Sequence, residues 1–126
     1  MGTHGDLTIS RQEEVASVAT MEDFQKIDLR VGRIVAAEPF PEARKPAYRL
    51  RINFGALGER TSSAQLTRRY QPEDLVGRLC VAVVNFPARQ IGPVRSEVLV
   101  LGGIPGEGDV VLLQPDAEVE PGTPIA

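Results

Sequence analysis

The sequence has a single cysteine, a single histidine and no long hydrophobic run. One cysteine, Cys80, excludes an intramolecular disulfide and fits a reducing compartment. No run approaches the roughly 18 apolar residues that a membrane-spanning helix needs, and the N-terminus lacks the basic and apolar regions of a secretory signal. We therefore expect a cytoplasmic protein without membrane insertion. Its 126 residues suffice for one domain with a modest core.

Residues that would carry catalysis or bind a metal are equally scarce. His4 lies near the N-terminus, and Cys80 lies within an apolar run, where a thiol is most simply a small buried hydrophobe. No cluster of His, Cys and carboxylate residues has the spacing of a metal site, and no glycine-rich loop between strand and helix would hold a phosphate. We expect no enzyme activity, no metal and no cofactor.

Positive charge is sparse at both ends of the chain and concentrated in its middle. The net charge of −3 divides into −4 for residues 1–29, +7 for 30–95 and −6 for 96–126. A basic middle can offer a positive face to an anionic partner, although folding can also intermix these charges and leave no patch. Twelve of the 14 basic residues are arginine. Guanidinium is the better fork for phosphate, but genomic base composition can produce the same excess.

Short strands separated by glycine and proline dominate the pattern. The clearest is 48–54, where Tyr48, Leu50 and Ile52 alternate with polar residues. Gly32 lies within a predicted strand at 29–37 and indicates a bulge or a sharp coil of the strand there. The predicted strands are 29–37, 48–54, 59–63, 79–84, 98–101 and 110–113. Residues 85–97 and 102–109 are rich in proline and glycine and are predicted as irregular loop and turn.

Three segments carry helix signals. Thr20 precedes Asp23 with the spacing of a capping box and predicts a helix at 21–26. Leu66 and Tyr70 have helical spacing, and 72–77 resembles a one-turn helix opened by proline and closed by glycine. Residues 1–20 are predicted to form an extension, with a short helix over roughly 11–19, outside a domain at 21–126. A five-stranded barrel with a helix between strands three and four is the OB-fold arrangement, although SH3-like barrels and small sandwiches stay open.

Several motifs support a family. In chain order they are DLRVG at 28–32, FPEARKP at 40–46, TSSAQL at 61–66, YQPEDLVG at 70–77, AVVNFPAR at 82–89 and SEVLVLG at 96–102. Together they resemble the CsaA-type proteins of the tRNA-binding-domain family, which also occurs at the C-terminus of methionyl-tRNA synthetases. The resemblance implies an all-β OB-fold, a homodimer, tRNA as partner, and a chaperone activity toward unfolded polypeptides and the export machinery.

The predicted binding residues come from the matched motifs and from the basic surface. The resemblance implies contacts from the loop that carries Asn85, Arg89 and Ser96, and from the corner at 62–65. The remaining arginines lie on the polar face of an OB strand or on exposed loops, where they either bind phosphates or form ordinary surface ion pairs. The full set is Asn85, Arg89, Ser96, Gln65, Ser63, Arg95, Arg49, Arg51, Arg68, Arg69, Arg44 and Lys45.

Two residues of the same loop have other predicted roles. A carboxylate repels phosphate, so Glu97 is predicted to order Asn85, Arg89 or loop amides as a scaffold. Phe86 stands between a strand and a proline and is predicted to plug the core rather than to stack on a base.

Two functions follow from this sequence. The first is tRNA binding by backbone and shape, with a dimer that presents two basic loops to one folded RNA. The runs at 79–84 and 98–101 are apolar on both faces, and we expect the outer faces to be covered by the N-terminal helix or a partner subunit. The second function is that of a holdase for unfolded chains.

Overall fold

The computed structural model describes residues 14–126, which form an antiparallel β-barrel. Its strands are β1 (Leu29–Pro39), β2 (Tyr48–Asn53), β3 (Glu59–Ala64), β4 (Leu79–Val83), β5 (Arg89–Ile91), β6 (Val94–Ser96), β7 (Leu99–Val100), β8 (Gly102–Gly106) and β9 (Asp109–Leu112). Five strands pair in the order β3-β2-β1-β4-β7, and two separate hairpins consist of β5-β6 and β8-β9. The predicted all-β class and OB-type barrel are confirmed.

The long strand β1 curls the sheet because its two halves pair with different neighbours. Residues 29–33 pair with β4, and residues 33–39 pair with β2. The register shifts between Ile34 and Ala36, so the bulge predicted at Gly32 lies further along the strand. Gly32 serves close packing instead, since a Cβ there would lie 2.5 Å from the Ile52 Cγ2 atom and 2.6 Å from the Phe54 Cε1 atom.

The core follows the alternation that the sequence predicted for β2. Leu50 and Ile52 are fully buried, while Arg49 and Arg51 face outward. All five residues of β4 are buried within one chain. The cover that we expected from the N-terminal helix or a partner subunit is therefore not needed for β4, although Leu99 of β7 is 48% exposed.

Two short helices flank the barrel. Helix α1 (Met21–Gln25) begins with the predicted capping box, in which the Asp23 amide donates to the Thr20 hydroxyl at 3.1 Å and the Thr20 amide donates to the Asp23 carboxylate at 3.0 Å. Helix α2 (Pro72–Leu75) lies between β3 and β4, as predicted. The helical spacing of Leu66 and Tyr70 reflects only a single turn, closed by the Tyr70 amide on the Leu66 carbonyl at 3.3 Å.

The predicted N-terminal helix is not present where the structure describes it. Residues 14–19 are not helical. Residues 11–13 of the predicted helix lie outside the described residues. Within residues 14–126, no helix is both long and apolar enough to cross a membrane.

Two segments predicted as irregular are strands. Residues 89–96 form the β5–β6 hairpin, because Gly92 and Pro93 occupy its two-residue turn, where Gly92 takes a φ of +56° and proline removes no ladder hydrogen bond. Strand β8 pairs with β9 across a register shift between Gly103 and Gly106, which accommodates Pro105. The irregular structure predicted for both segments is wrong, because proline at a turn or a bulge does not interrupt strand pairing.

The C-terminal segment lies beside β1. The Val31 amide donates to the Thr123 carbonyl at 2.9 Å, the Gly122 amide donates to the Val31 carbonyl at 2.7 Å, and the Ile125 amide donates to the Leu29 carbonyl at 2.9 Å. This segment satisfies main-chain groups of β1 in the half of the strand that β2 does not reach.

Candidate nucleic-acid interface

Side chains close the barrel between β3 and residues 96–98. The Glu97 carboxylate accepts a hydrogen bond from the Thr61 amide at 2.9 Å, and the Glu97 amide donates to the Thr61 carbonyl at 2.8 Å. Beside this pair, the Ser96 hydroxyl accepts from the Ser63 amide at 3.1 Å. The oxygens of Ser96 and Glu97 therefore bind the outer strand of the sheet. Glu97 forms no hydrogen bond with Asn85 or Arg89, two of the partners that the sequence suggested, and accepts from a main-chain amide of a strand instead.

Residues 40–47, which connect β1 to β2, pack against the β5–β6 hairpin at 89–96, and together they form what we name the loop–hairpin unit. Phe40, Ala47 and Val94 are buried in a small core of their own, against which Ala43 and Ile91 pack. In an OB-fold these segments are the connections between strands one and two and between strands four and five, which bind oligonucleotides. The fold thus joins both binding loops into one element.

Four exposed cations of the loop–hairpin unit have side chains that form no hydrogen bond or ion pair with any residue in the range 14–126. They are Arg44, Lys45, Arg89 and Arg95. Lys26, at the end of α1, is the one other such cation in this range. Cations without a carboxylate partner can neutralise phosphates without first giving up a protein contact.

Arg49 and Arg51 lie on the outer face of β2 and β3, which we name the strand 2–3 face, and both form ion pairs with carboxylates. Arg49 of β2 donates to Glu38 of β1 with 2.6 Å between Nε and Oε1. Arg51 donates to Glu59 of β3 with 2.9 Å between Nη1 and Oε1. All four side chains are near half exposed, so the pairs contribute little to stability but reduce the positive potential of this face.

Arg68 and Arg69 attach the turn after β3 to the β8–β9 hairpin. Arg69 donates to Asp109 with 2.9 Å between Nη2 and Oδ2, and Arg68 donates to the Glu107 carbonyl at 3.4 Å. The hydrogen bond from Arg69 holds the pKa of Asp109 below its ordinary value, and the same bond raises the pKa of Arg69. These two predicted binding residues therefore have structural partners outside the loop–hairpin unit.

Arg89 and Arg95 lie on opposite faces of their hairpin. The register pairs Arg89 with Ser96 and Gln90 with Arg95, and neighbouring pairs point to opposite sides. Ser96 faces β3, so Arg89 lies on the barrel side of the hairpin and Arg95 on the outer side. An anionic ligand that contacts both must therefore reach around the hairpin.

Two grooves border this hairpin. Groove one, of about 460 Å³, lies over the strand 2–3 face and is lined by Glu38, Arg49, Arg51, Thr61, Pro93 and Val94. Groove two, of about 850 Å³, lies on the barrel side and brings together four predicted binding residues, namely Ser63, Gln65, Arg89 and Ser96. Groove one has no aromatic residue among those that line it, whereas groove two includes Phe86.

Asn85 bonds the chain between α1 and β1. Its side-chain oxygen accepts from the Asp28 amide at 2.9 Å, and its side-chain nitrogen donates to the Lys26 carbonyl at 2.8 Å. Both ends of the amide are thus engaged by main-chain groups that are 57 and 59 residues away in sequence. Asn85 therefore links the end of β4 to the chain between α1 and β1.

Phe86 is the residue that the sequence assigned wrongly. Its side chain is 43% exposed and lines groove two, so it does not plug the core. The small core near it is filled by Phe40 instead. Only its position after β4 and before Pro87, at the end of a strand, could have indicated exposure.

Chemistry at a metal or a thiolate has no support in the described residues. Between residues 14 and 126, no group of three His, Cys, Asp or Glu side chains is placed to hold a metal. Burial in β4 raises the pKa of the Cys80 thiol to about 12, which leaves it protonated and unreactive at neutral pH.

A nearly closed five-stranded barrel whose unpaired cations, within residues 14–126, lie mostly on the loops that join strands one to two and four to five defines the OB-fold class of binding domain. Within that class the chain belongs to the putative tRNA-binding-domain family, whose model matches residues 29–124. The resemblance to CsaA-type proteins is confirmed by solved structures.

The relatives are of two kinds. The chain is 42% identical over 111 residues to methionine–tRNA ligase 1 of Sorangium cellulosum, a match that covers 88% of this chain but only 16% of the ligase. The chaperone CsaA of Bacillus anthracis is 57% identical, with a TM-score of 0.84 over 87% of this chain and 100% of that one. The CsaA chaperone of Picrophilus torridus is 49% identical, with a TM-score of 0.80 over 86% of this chain and 100% of that one.

Proposed function

We propose that this protein binds tRNA through the phosphates, with the loop–hairpin unit as the main contact. The observation that carries the proposal is the set of four unpartnered cations on that unit, in a chain of the tRNA-binding-domain family. Arg89 and Arg95 on the hairpin, with Arg44 and Lys45 on the adjoining loop, would take one phosphate each. With tRNA as the proposed partner, we also infer a cytoplasmic location.

Recognition by backbone and shape, rather than by a row of bases, fits the strand 2–3 face. Proteins that bind single strands stack successive bases on aromatic side chains. The side chains that line groove one include no aromatic ring, and its two arginines are already paired. Arg49 and Arg51 would therefore act as secondary contacts, because each must give up its ion pair with a carboxylate before it can bind a phosphate.

We further infer that the protein acts as a twofold homodimer. Four phosphate contacts from one small domain give modest affinity, whereas two loop–hairpin units on one folded RNA gain by effective concentration. Closed twofold symmetry is the commonest arrangement for such pairs. Light scattering at micromolar concentration tests this inference, and a monomer under those conditions would contradict it.

The main experiment is a titration of labelled bulk tRNA at 50 and 200 mM salt. Engagement of one unit, with four phosphate contacts, predicts that affinity falls roughly 50- to 150-fold between these concentrations, because each contact releases a counterion, and engagement of both units of the proposed dimer predicts a steeper fall. An affinity that does not change with salt would contradict phosphate binding. A slope well above that of four contacts would indicate that both units of a dimer engage the RNA.

Retention of unfolded polypeptides is the second candidate. Groove two carries partly exposed apolar side chains, namely Phe86, Leu99 and Ile104, and two structural relatives are described as chaperones. Suppression of aggregation of a reduced, unfolded protein tests this candidate directly. A variant that loses salt-dependent tRNA binding but still suppresses aggregation would separate the two functions.

A further inference from the structure

Groove two combines an exposed aromatic ring with two polar side chains that have no hydrogen-bond partner among the described residues. The Phe86 ring is 43% exposed. The Gln65 amide and the Arg89 guanidinium make no hydrogen bond within the described part of the chain, and both line the groove. A ring face, an amide and a guanidinium are the groups that proteins use to stack a base, read its edge and bind its phosphate.

We propose that groove two holds one unpaired nucleotide of the bound RNA, with its base stacked on Phe86, its edge at Gln65 and its phosphate at Arg89. The inference rests on the proposed tRNA binding and makes it more specific. The loop–hairpin unit would contact the backbone, and groove two would select RNA with a looped-out or terminal base.

The size of the groove fits such an occupant. Its volume of about 850 Å³ is in the range of small-ligand sites and is larger than that of groove one. Ile104 and Leu99 extend the apolar wall beyond the Phe86 ring. One aromatic ring accommodates one base, so a single nucleotide, rather than a strand, is the unit that binds.

A peptide fits the same groove less well. Extended peptides bind by adding a strand, for which they need a row of unsatisfied main-chain groups. Along this wall the Glu97 amide donates to Thr61, the Val98 carbonyl accepts from Ser62 and the Leu101 amide donates to Val81. The chain itself therefore uses the groups that a peptide would require, whereas the side chains that suit a nucleotide are unoccupied.

The test compares two RNA duplexes, one with blunt paired ends and the other identical except for a single bulged adenosine. Stacking of one base on an aromatic side chain predicts about 5- to 150-fold tighter binding of the bulged duplex by the full-length protein. Phe86→Leu keeps an apolar side chain but removes the ring, and we expect it to bring the ratio of the two affinities to about one.

Phe24→Leu is the matched control. Phe24 is 40% exposed, similar to Phe86, but it lies in α1 and does not line the groove. This variant should keep the full preference for the bulged duplex. 2-Aminopurine at the bulge supplies a direct readout, because its fluorescence should fall on binding to the unmodified protein and remain higher with Phe86→Leu.

Each remaining outcome identifies which proposal fails. Absence of salt-dependent binding to both duplexes and to tRNA would overturn the proposed function and this inference together. Salt-dependent binding with equal affinity for the two duplexes would overturn the inference alone. A Phe86→Leu variant that keeps the RNA preference but loses suppression of aggregation, or loses self-association, would assign the groove to a polypeptide or to a second copy of the chain.

Discussion

Glu97 hydrogen-bonds both main-chain groups of Thr61, as a neighbouring strand would do. It accepts the Thr61 amide at 2.9 Å while its own main-chain amide donates to the Thr61 carbonyl at 2.8 Å. One residue thus satisfies both main-chain groups of Thr61 on the side of β3 that faces residues 96–98, where no strand within residues 14–126 pairs with β3. Glu97 therefore has a structural role, although it lies beside a surface that we propose to bind phosphate.

We expect Glu97→Ala to destabilise the fold by about 1–3 kcal/mol, because the half-buried Thr61 amide loses its acceptor. Glu97→Gln should cost less, since its side-chain oxygen still accepts. Glu107→Ala is the control, because that side chain is exposed and only its main-chain carbonyl accepts a hydrogen bond. Urea unfolding measures all three, and equal midpoints for the two alanine variants would contradict this role of Glu97.

Gly32→Ala should be destabilising by about 1–3 kcal/mol, the usual cost of overpacking a core. The added methyl group would lie 2.5 Å from Ile52 and 2.6 Å from Phe54. Gly103→Ala, also in a strand, has no neighbour within 4 Å of its Cβ position and should be tolerated. Thermal unfolding compares the two variants, and similar melting temperatures would exclude close packing as the reason for Gly32.

The sequence predicted the fold well where local patterns decide it. Alternation in β2 and the capping box at Thr20 are properties of a few adjacent residues, and both are present as predicted. The β5–β6 hairpin was not predictable in the same way. It is held by the packing of Val94 on Phe40, residues far apart in sequence, and its two-residue Gly-Pro turn resembles any other loop signal.

The sequence identifies the basic residues of the candidate site, but it does not show which of them lack an ion-pair partner. Whether each arginine has a carboxylate partner depends on strand register. Arg49 lies opposite Glu38 only because of the register shift in β1, which no local signal placed correctly. The exposure of Phe86 likewise depends on where the chain turns after β4.

Stability at acid pH should depend on Asp109. The hydrogen bond from Arg69 lowers the pKa of this carboxyl, so its stabilising effect is present above its ordinary pKa and is lost as pH falls through the lowered value. Asp109→Asn should therefore be less stable than the unmodified protein near neutral pH, and the difference should shrink below about pH 4. Melting temperatures from pH 7 to 2 measure this, with Asp116→Asn as the control, and a difference that does not vary with pH would contradict it.

Cys80 should resist thiol reagents in the folded protein. Burial raises its pKa to about 12, so the thiol stays protonated at pH 8 and is also inaccessible in the middle of β4. Labelling by an aromatic disulfide reagent should proceed only as fast as the protein unfolds. Because the pKa is raised, stability should also decline as pH rises from about 9 toward 12. Rapid labelling under native conditions would show that β4 opens locally.

Arg89 and Arg95 should contribute to tRNA binding separately, because they lie on opposite faces of the hairpin and have no partner among residues 14–126. We expect each alanine variant to reduce the slope of log affinity against log salt by about one, and the double variant by about two. Arg51→Ala is the matched control. Arg51 is also exposed to solvent but is already paired with Glu59, so its removal should change the slope less. If one hairpin arginine proves dispensable while the other does not, the RNA contacts a single face, and the slope of that variant shows which.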